Sequence, residues 1–215
     1  MGNRPAAGGG RWVEVAPERL ERWLAGFSER HGTARTEVSG DVVTMVAADG
    51  ALAECHPPFP PLVGGGDPLD ALVAHALAER RVGVLLVRLG GYAAGVFEGA
   101  RLVTSKVDTR QVHGRNKAGG WSQQRFARRR EGQVRQLTEA AAATAARVLL
   151  PEAASLDAVV LGGDRAAVDA TLAAPTLAPL RERAVERFLT VPDPRRNILE
   201  ATPATFRAVR IRLDP

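Results

Sequence analysis

The stretch VGVLLVRLGGYAAGVFEGARLVTSKV, residues 82–107, decides the fold. It opens with Val82–Arg88, a continuous apolar run of the length that is typical of a buried strand at the centre of a sheet. Two tight turns, each containing glycine, separate this run from two further strand-like runs, Tyr92–Phe97 and Leu102–Val107. The stretch therefore predicts a three-stranded meander whose first strand is central.

Helices and further strands follow the meander. The residues from Gln124 to Leu150 favour one long helix, Leu156–Leu161 forms an apolar strand, and Arg165–Leu172 favours a second helix. Arg207–Leu213 alternates basic and apolar residues and is a candidate last strand. A meander followed by alternating helices and strands predicts an α/β fold with a mixed sheet and helices packed on it. The ribonuclease-H-like architecture has this element order, as do other α/β folds.

The chain before the meander predicts a small α+β region over residues 1–66. Residues 1–10 are expected to form a flexible tail, and Pro17–His31 has one apolar helical stripe, followed by two short strand-like runs. The Pro- and Gly-rich segment Cys55–Pro68 is expected to be a boundary loop, because it cannot form a regular element. We therefore expect a larger second domain over residues 67–215.

Composition excludes several classes of protein. The 215 residues are long enough to bury a core, and the 45% hydrophobic and 25% charged content excludes wholesale disorder, collagen and coiled coil. Cys55 is the single cysteine, so a disulfide scaffold is excluded and a reducing compartment fits. No signal peptide is recognisable, and no run approaches the roughly 18 apolar residues of a membrane span. We expect a cytoplasmic monomer that needs no cofactor.

The positive charge of the chain is concentrated in one segment. The whole chain has a net charge of +5, but Arg101–Arg135 holds ten bases and two acids, a net of +8, so the other 180 residues sum to −3. Both lysines and four of the five glutamines of the chain lie in the same segment, and the fifth glutamine, Gln136, directly follows it. Such asymmetry predicts a polyanionic partner that binds at one place.

This basic segment contains the run HGRNKAGGWSQQRFARRREGQ, residues 113–133. A Gly-rich loop displays Trp121, an aromatic that can stack on a base, and leads into an Arg-rich helix start. Arg125, Arg128 and Arg129 are spaced i, i+3 and i+4, so they share one face of that helix. A cationic face behind a Gly-rich tip can bind phosphates while it presents the tip to a partner. Charge alone leaves a solvated basic helix as the alternative interpretation.

The run resembles the tip loop of the Vms-like release factors, which are relatives of the catalytic domain of eukaryotic and archaeal class I peptide release factors. Gly119–Gln123, preceded by Arg-Asn-Lys and followed by Gln-Arg-Phe, carries the resemblance. The longer stretch Gly-Gly-Trp-Ser-Gln-Gln-Arg-Phe-Ala-Arg-Arg-Arg-Glu is most similar to the actinobacterial peptidyl-tRNA hydrolase branch. The resemblance is strong over about Lys106–Gln133 and extends in element order over Val82–Pro215. It implies a release-factor middle-domain fold, which is ribonuclease-H-like without the metal carboxylates.

The resemblance also implies an activity and a site. A glutamine-bearing tip would enter the ribosomal peptidyl-transferase centre, or reach a tRNA acceptor end, and promote hydrolysis of the peptidyl-tRNA ester. The implied partners are peptidyl-tRNA and the rRNA of the large ribosomal subunit. The tip loop is placed at about residues 111–124, with Gly119, Gly120, Trp121 and Ser122 as its tip. The residues expected to bind RNA are Lys106, Arg110, Arg115, Lys117, Arg125, Arg128, Arg129 and Arg130.

The catalytic candidates are Gln123 and Gln124. True release factors carry an uninterrupted Gly-Gly-Gln, whereas Trp and Ser intervene here, so which amide acts stays open; the Ser-Gln step favours Gln123. An amide has no usable pKa and cannot be a general base. It can accept a hydrogen bond from water through its carbonyl and donate one to a developing oxyanion. Because such positioning needs a desolvated site, the partner must supply the rest of the active site.

Other functions stay open from the sequence. The chain could be a nuclease that cleaves near the tRNA acceptor end, or a non-enzymatic ribosome- or RNA-binding module whose tip only docks. Asp108, Asp157 and Asp164 could form a Mg²⁺-binding cluster, although the start of a strand and a helix cap are favoured for the last two. Cys55 and His56 have no further Cys or His at ligand spacing, so no metal site is expected.

Overall fold

The structure is a computed structural model and describes residues 4–5, 9–109 and 122–214, of which residues 4–5, 33–34 and 122–130 are described by their backbone alone. The strands within these ranges are β1 (Arg4–Pro5), β2 (Arg11–Val15), β3 (Thr33–Ser39), β4 (Val42–Ala47), β5 (Leu52–His56), β6 (Arg81–Arg88), β7 (Gly91–Glu98), β8 (Arg101–Thr109), β9 (Ala158–Gly163), β10 (Ala184–Leu189) and β11 (Val209–Asp214). The α-helices are α1 (Pro17–His31), α2 (Pro68–Leu77), α3 (Ser122–Val148), α4 (Arg165–Leu172), α5 (Ala178–Glu182), α6 (Arg196–Ala201) and α7 (Pro203–Phe206).

The chain divides into two compact units. The central unit comprises Arg80–Thr202, and the terminal unit combines Met1–Glu79 with Pro203–Pro215. The sequence predicted two parts, residues 1–66 and residues 67–215. The observed division is different, because α2 belongs to the terminal unit and because β11 lies in that unit's sheet. The last strand was expected from its alternation, but alternation shows only that one face is buried and not which sheet buries it.

The sheet of the central unit has the order β10-β9-β6-β7-β8. β6 is central, as the sequence predicted, and pairs antiparallel with β7, which pairs antiparallel with β8. On its other side β6 pairs parallel with β9, which pairs parallel with β10. β7 is therefore the single strand of this sheet that runs against the others, and the order and directions are those of a ribonuclease-H-like fold. The predicted mixed sheet is confirmed.

Helices pack on both faces of this sheet. One face contributes Leu85, Val87, Tyr92, Ala94 and Val96 to a core that α3 and α4 complete. The opposite face carries α6, because Gly95 lies against the fully buried Leu199 of that helix and adjacent strand residues point to opposite sides.

The terminal unit is built on a six-stranded sheet of order β1-β2-β11-β5-β4-β3, in which all neighbouring strands are antiparallel. Helices α1 and α2 share a core with this sheet. The side chains at the centre of that core are Leu20, Leu24, Phe27, Val43, Met45, Cys55, Leu72 and Ile211. The small α+β region is thus present, but it takes its central strand from the end of the chain.

The expected boundary loop begins later than the sequence indicated. Cys55 and His56 are the last residues of β5, where they pair with Ile211 and Arg210 of β11. The five prolines that follow hid this strand, because they lower the strand propensity of any window that contains them. None of the helices in the described ranges is both long enough and apolar enough to cross a membrane.

We predict that Gly163→Ala destabilises the central unit by about 2 kcal/mol or more. Gly163 ends β9 at φ +107°, and a Cβ there would overlap the carbonyl oxygen of Val87, which accepts the backbone N–H of Asp164 at 2.8 Å. Urea denaturation measures the effect. The control is Gly26→Ala in α1, where a Cβ meets no atom within 4 Å and the free energy of unfolding should be unchanged or slightly raised. Equal stability of the two variants would contradict the prediction.

Candidate functional site

The predicted site residues fall in three places. Arg110, Arg115, Lys117, Gly119, Gly120 and Trp121 lie outside the described residues. Ser122, Gln123, Gln124, Arg125, Arg128, Arg129 and Arg130 lie in the first nine residues of α3, where the backbone is described. Lys106 lies in β8. The backbone therefore places both catalytic candidates and half of the RNA-binding candidates on one helix.

The long helix begins two residues earlier than predicted. α3 starts at Ser122, so Gln123 and Gln124 belong to its first turn and not to the preceding loop. Backbone N–H groups in the first turn of a helix have no partner within the helix, and the helix dipole is positive at this end. No acidic residue lies in the first turn of α3. The start of α3 is therefore suited to negative charge.

The position of this helix start follows from the sheet. β8 is an edge strand that ends at Thr109, and residues 110–121 join it to α3. Because β8 runs in the same direction as β6 and β9, its end lies at the edge where those two strands also end, the carboxyl edge of the sheet. The candidate site is thus associated with the carboxyl edge, where ligands commonly bind in open α/β sheets.

The helix α3 has two parts with different surroundings. None of residues 131–136 is buried, whereas Leu137, Ala141, Ala145 and Leu149 form a fully buried stripe in the core of the central unit. We call residues 122–136 the arm and residues 137–148 the packed half. A helix rises 1.5 Å per residue, so the arm is about 22 Å long.

The direction of α3 places the arm at the carboxyl edge. Leu149, just after the packed half, lies close to Gly83 near the amino end of β6. The helix therefore runs from the carboxyl edge towards the amino edge, and the arm precedes the part that the sheet supports. The change from Arg- and Gln-rich to Ala-rich sequence at Leu137 is the signal that marks this division, and sequence reasoning did not use it.

Lys106 is the one predicted RNA-binding residue whose side chain the structure describes. It is exposed and pairs with Ala94 of β7, so both residues point to the same face of the sheet. Ala94 belongs to the core beneath α3. Lys106 therefore lies on the face of the sheet that carries the long helix.

The carboxylates considered for a metal site are separated and have other partners. Asp108 accepts a hydrogen bond from the Tyr92 hydroxyl at 3.0 Å, near the end of β8. Asp157 accepts the backbone N–H of Arg81 at 2.7 Å, at the opposite edge of the sheet. Asp164 caps α4 by accepting the backbone N–H of Ala167 at 3.2 Å. The structural roles expected for the last two are confirmed.

Cys55 and His56 also make no joint site. As neighbours in β5 they point to opposite faces, and Cys55 is fully buried in the core of the terminal unit, where burial raises its thiol pKa to about 12. Partial burial lowers the pKa of His56. The parts of the chain that the structure describes contain no group of three or more His, Cys, Asp or Glu side chains placed to hold a metal ion.

The order and directions of its strands place the central unit in the ribonuclease-H-like class of folds. The model of the Actinobacteria/chloroflexi VLRF1 release factor family matches residues 80–212, well over half of the chain. The chain therefore belongs to this family and has a translation-related role. The match begins at Arg80, the first residue of the central unit, and continues into β11.

Several solved structures show a distant similarity to the chain. The chain is 15% identical to an archaeal translation termination factor, aRF1, with a TM-score of 0.41 over 91% of this chain and 66% of that one. It is 9% identical to the Vms1 mitochondrial localization core, with a TM-score of 0.43 over 90% of this chain and 80% of that one. For S. cerevisiae Dom34 the identity is 8% and the TM-score 0.37, over 93% and 65%. The chain thus spans about two thirds of the aRF1 and Dom34 chains. No curated protein matches it in sequence.

We predict that the two parts of α3 differ in their sensitivity to truncation. Leu137→Ala should lower the free energy of unfolding by about 2–5 kcal/mol, because Leu137 is fully buried in the core of the central unit. Val134→Ala should change it by less than about 1 kcal/mol, because Val134 lies in the arm and adds nothing to that core. Chemical denaturation measures both. A large loss at Val134 would show that the arm is packed.

Proposed function

We propose that this chain is a release-factor-type peptidyl-tRNA hydrolase, which frees nascent peptides from tRNA on stalled ribosomes or large subunits. The observation that carries the proposal is the family match over residues 80–212, because this range includes the Gly119–Gln124 segment. The placement of Gln123 and Gln124 in the first turn of α3 supports it.

The reaction requires a water and a means to stabilise negative charge. Water attacks the carbonyl carbon of the ester, the bond to the tRNA ribose oxygen breaks, and a peptide carboxylate and a free tRNA result. A glutamine carbonyl can orient the water, and the unpaired backbone N–H groups of a helix start can donate to the developing oxyanion. Gln123 and Gln124 offer both kinds of group.

The chain would be one part of a composite active site. A glutamine amide neither accepts nor releases a proton near neutral pH, so proton transfer must involve another group. The ribosomal RNA and the terminal ribose of the tRNA are the groups nearest to the ester in the bound state. The purified chain should therefore be nearly inactive on free ester substrates, whereas it should release peptide from peptidyl-tRNA held on large subunits.

The arginines of the arm would position the helix start by binding phosphates. Arg125, Arg128 and Arg129 are spaced i, i+3 and i+4 along α3, so the helix places them on one face. Lys106 adds a cation on the same face of the sheet as α3. Phosphate contacts of this kind fix register and orientation without reading sequence, which suits a factor that must act on many different peptidyl-tRNAs.

We predict that Gln123→Ala slows peptide release by about 100-fold or more, since removal of one oxyanion donor or water-positioning group has an effect of this size. Gln124→Ala is measured beside it, and the slower variant identifies the amide that acts. The control is Gln136→Ala, an exposed glutamine of the same helix that lies about 20 Å further along. The measurement is single-turnover release from large subunits that carry peptidyl-tRNA. The site assignment is wrong if both tip variants release peptide at the wild-type rate.

The same reactions distinguish the hydrolase from a nuclease. Hydrolysis of the ester leaves tRNA of full length, whereas cleavage near the acceptor end leaves a shortened tRNA, and a denaturing gel resolves the two. We expect full-length tRNA to appear in proportion to the released peptide. A shortened tRNA that appears first would assign the chain to the nuclease class instead.

We predict that Arg128→Ala and Arg129→Ala each weaken binding to large subunits and reduce the slope of log K against log salt by about one for each phosphate that is no longer bound. The matched control is Arg147→Ala, an exposed arginine near the other end of α3. Sedimentation binding at several salt concentrations measures both quantities. An equal effect of all three variants would mean that the arm makes no specific phosphate contact.

A further inference from the structure

Gly132 stands in the interior of α3, ten residues after the helix begins. A Cβ built at this position would meet no atom within 4 Å, and the backbone there does not have positive φ. Neither packing nor a left-handed conformation therefore requires a glycine. Glycine is nevertheless among the least favourable residues for a helix interior, so its presence weakens the helix at this point.

The position of this weak point relative to the core is specific. Gly132 lies in the arm, five residues before Leu137, which is the first buried residue of α3 in the part whose side chains are described. A bend at Gly132 would leave the core intact, whereas a bend within the packed half would lift Ala141 and Ala145 off the sheet. A glycine in a helix interior weakens the helix relative to alanine, so bending costs less there than at the neighbouring residues.

We propose that Gly132 is a pivot at which α3 bends, so that the start of the helix can be oriented on the peptidyl-tRNA while the packed half stays fixed on its sheet. This inference rests on the proposed function and gives Gly132 a positioning role, since it touches no reacting atom. It concerns how Gln123 and Gln124 reach the ester and not which of them acts.

The length of helix beyond the pivot makes even a small bend effective. Gln123 precedes Gly132 by nine residues, which is about 14 Å of helix. A bend of about 20° would therefore move the helix start sideways by about 5 Å. Misplacement of a catalytic group by about 1 Å can reduce a rate by about 100-fold, so a displacement of several ångströms decides whether the glutamine is in place.

The first test is Gly132→Ala, assayed by peptide release from large subunits that carry peptidyl-tRNA. We expect the rate at saturation to fall about fivefold, because alanine stiffens the helix, and the concentration that gives half-maximal rate to stay unchanged. The control is Gly26→Ala, also an interior helical glycine whose Cβ would meet no atom within 4 Å, and it should release at the wild-type rate. Wild-type release by Gly132→Ala would overturn the proposal.

A second variant distinguishes two explanations for the glycine: that the helix bends there, or that the partner contacts the backbone of Gly132, where no side chain is in the way. Gly132→Ala combined with Gln136→Gly moves the glycine by one helical turn, to an exposed position that still precedes Leu137. If the helix bends in the arm, the double variant should regain at least half of the rate that Gly132→Ala removes. If the double variant releases peptide as slowly as Gly132→Ala, a glycine is needed at position 132 itself. The partner then contacts that backbone directly, and the proposal of a pivot is wrong.

A third measurement, the distance between two spin labels, tests for the bend independently of activity. Spin labels are placed at Ser122→Cys, the start of α3, and at Glu186→Cys, an exposed residue of the edge strand β10 that does not belong to the helix. A bend of about 20° at Gly132 moves the first label sideways by about 5 Å and so changes the distance between the two labels. The native Cys55 is fully buried with a thiol pKa raised to about 12, so it does not compete for the label. We expect a broad distribution of distances, which Gly132→Ala narrows and Gly26→Ala leaves unchanged. Identical narrow distributions in all three proteins would overturn the pivot.

The release assay and the distance measurement together show whether the pivot or the proposed function is at fault. If the wild-type chain releases no peptide from large subunits, the proposed function fails, and the distance distributions still decide whether α3 bends at Gly132. If the wild-type chain releases peptide and Gly132→Ala does so equally fast, the pivot alone fails. The assignment of Gln123 and Gln124 is then unaffected.

Discussion

The burial of one helical stripe against the central sheet is the interaction on which the rest of the central unit depends. Leu137, Ala141, Ala145 and Leu149 follow one another at intervals of four residues and are all fully buried. The two alanines add little apolar area themselves, but they let the helix axis lie close to the sheet, where the large side chains at either end of the stripe are covered. This packing fixes the direction of α3, and the direction of α3 determines at which edge of the sheet the Gln- and Arg-rich arm lies.

The same packing explains why the charge of the chain is distributed so unevenly. A helix that carries arginines on one face cannot bury that face, because an unpaired buried guanidinium is costly. The bases at the start of α3 accordingly precede Leu137, and the packed half is rich in alanine. Like charges at i, i+3 and i+4 destabilise a helix, and phosphates that neutralise them remove that cost. A polyanion that bound these bases would therefore also stabilise the arm.

Much of the central unit could be predicted from the sequence, and the terminal unit much less. The run Val82–Arg88 has apolar residues at almost every position, which only a central strand can bury, and β6 is central. β11 was recognised from its alternation, yet its partners are β2 and β5, more than 150 residues earlier in the chain. Local pattern does not encode pairing at that distance. The last residues of β5 were hidden by the prolines that follow them, although their pairing with β11 requires no regular structure beyond His56.

Some features of the candidate site could also be predicted from the local sequence, whereas others required the structure. The spacing of the basic residues and the Gly-Gly-Trp-Ser-Gln run are local, so the sequence alone carried the hypothesis of a tip and of one cationic helix face. The position of that face depends on where α3 first meets the sheet. The change to Ala-rich sequence at Leu137 marks this point, but only the structure shows that burial begins there. Once this point is known, the position of Gly132 relative to the core can be interpreted, which its neighbours in the sequence do not allow. A glycine inside the packed half would be a defect in a buried stripe, whereas five residues before that stripe it softens the helix and leaves the core undisturbed. The packed half holds α3 on the sheet, and a glycine that precedes it would allow the helix start to change direction. The proposed adjustment requires both, because a bend orients the helix start only if the rest of the helix stays fixed.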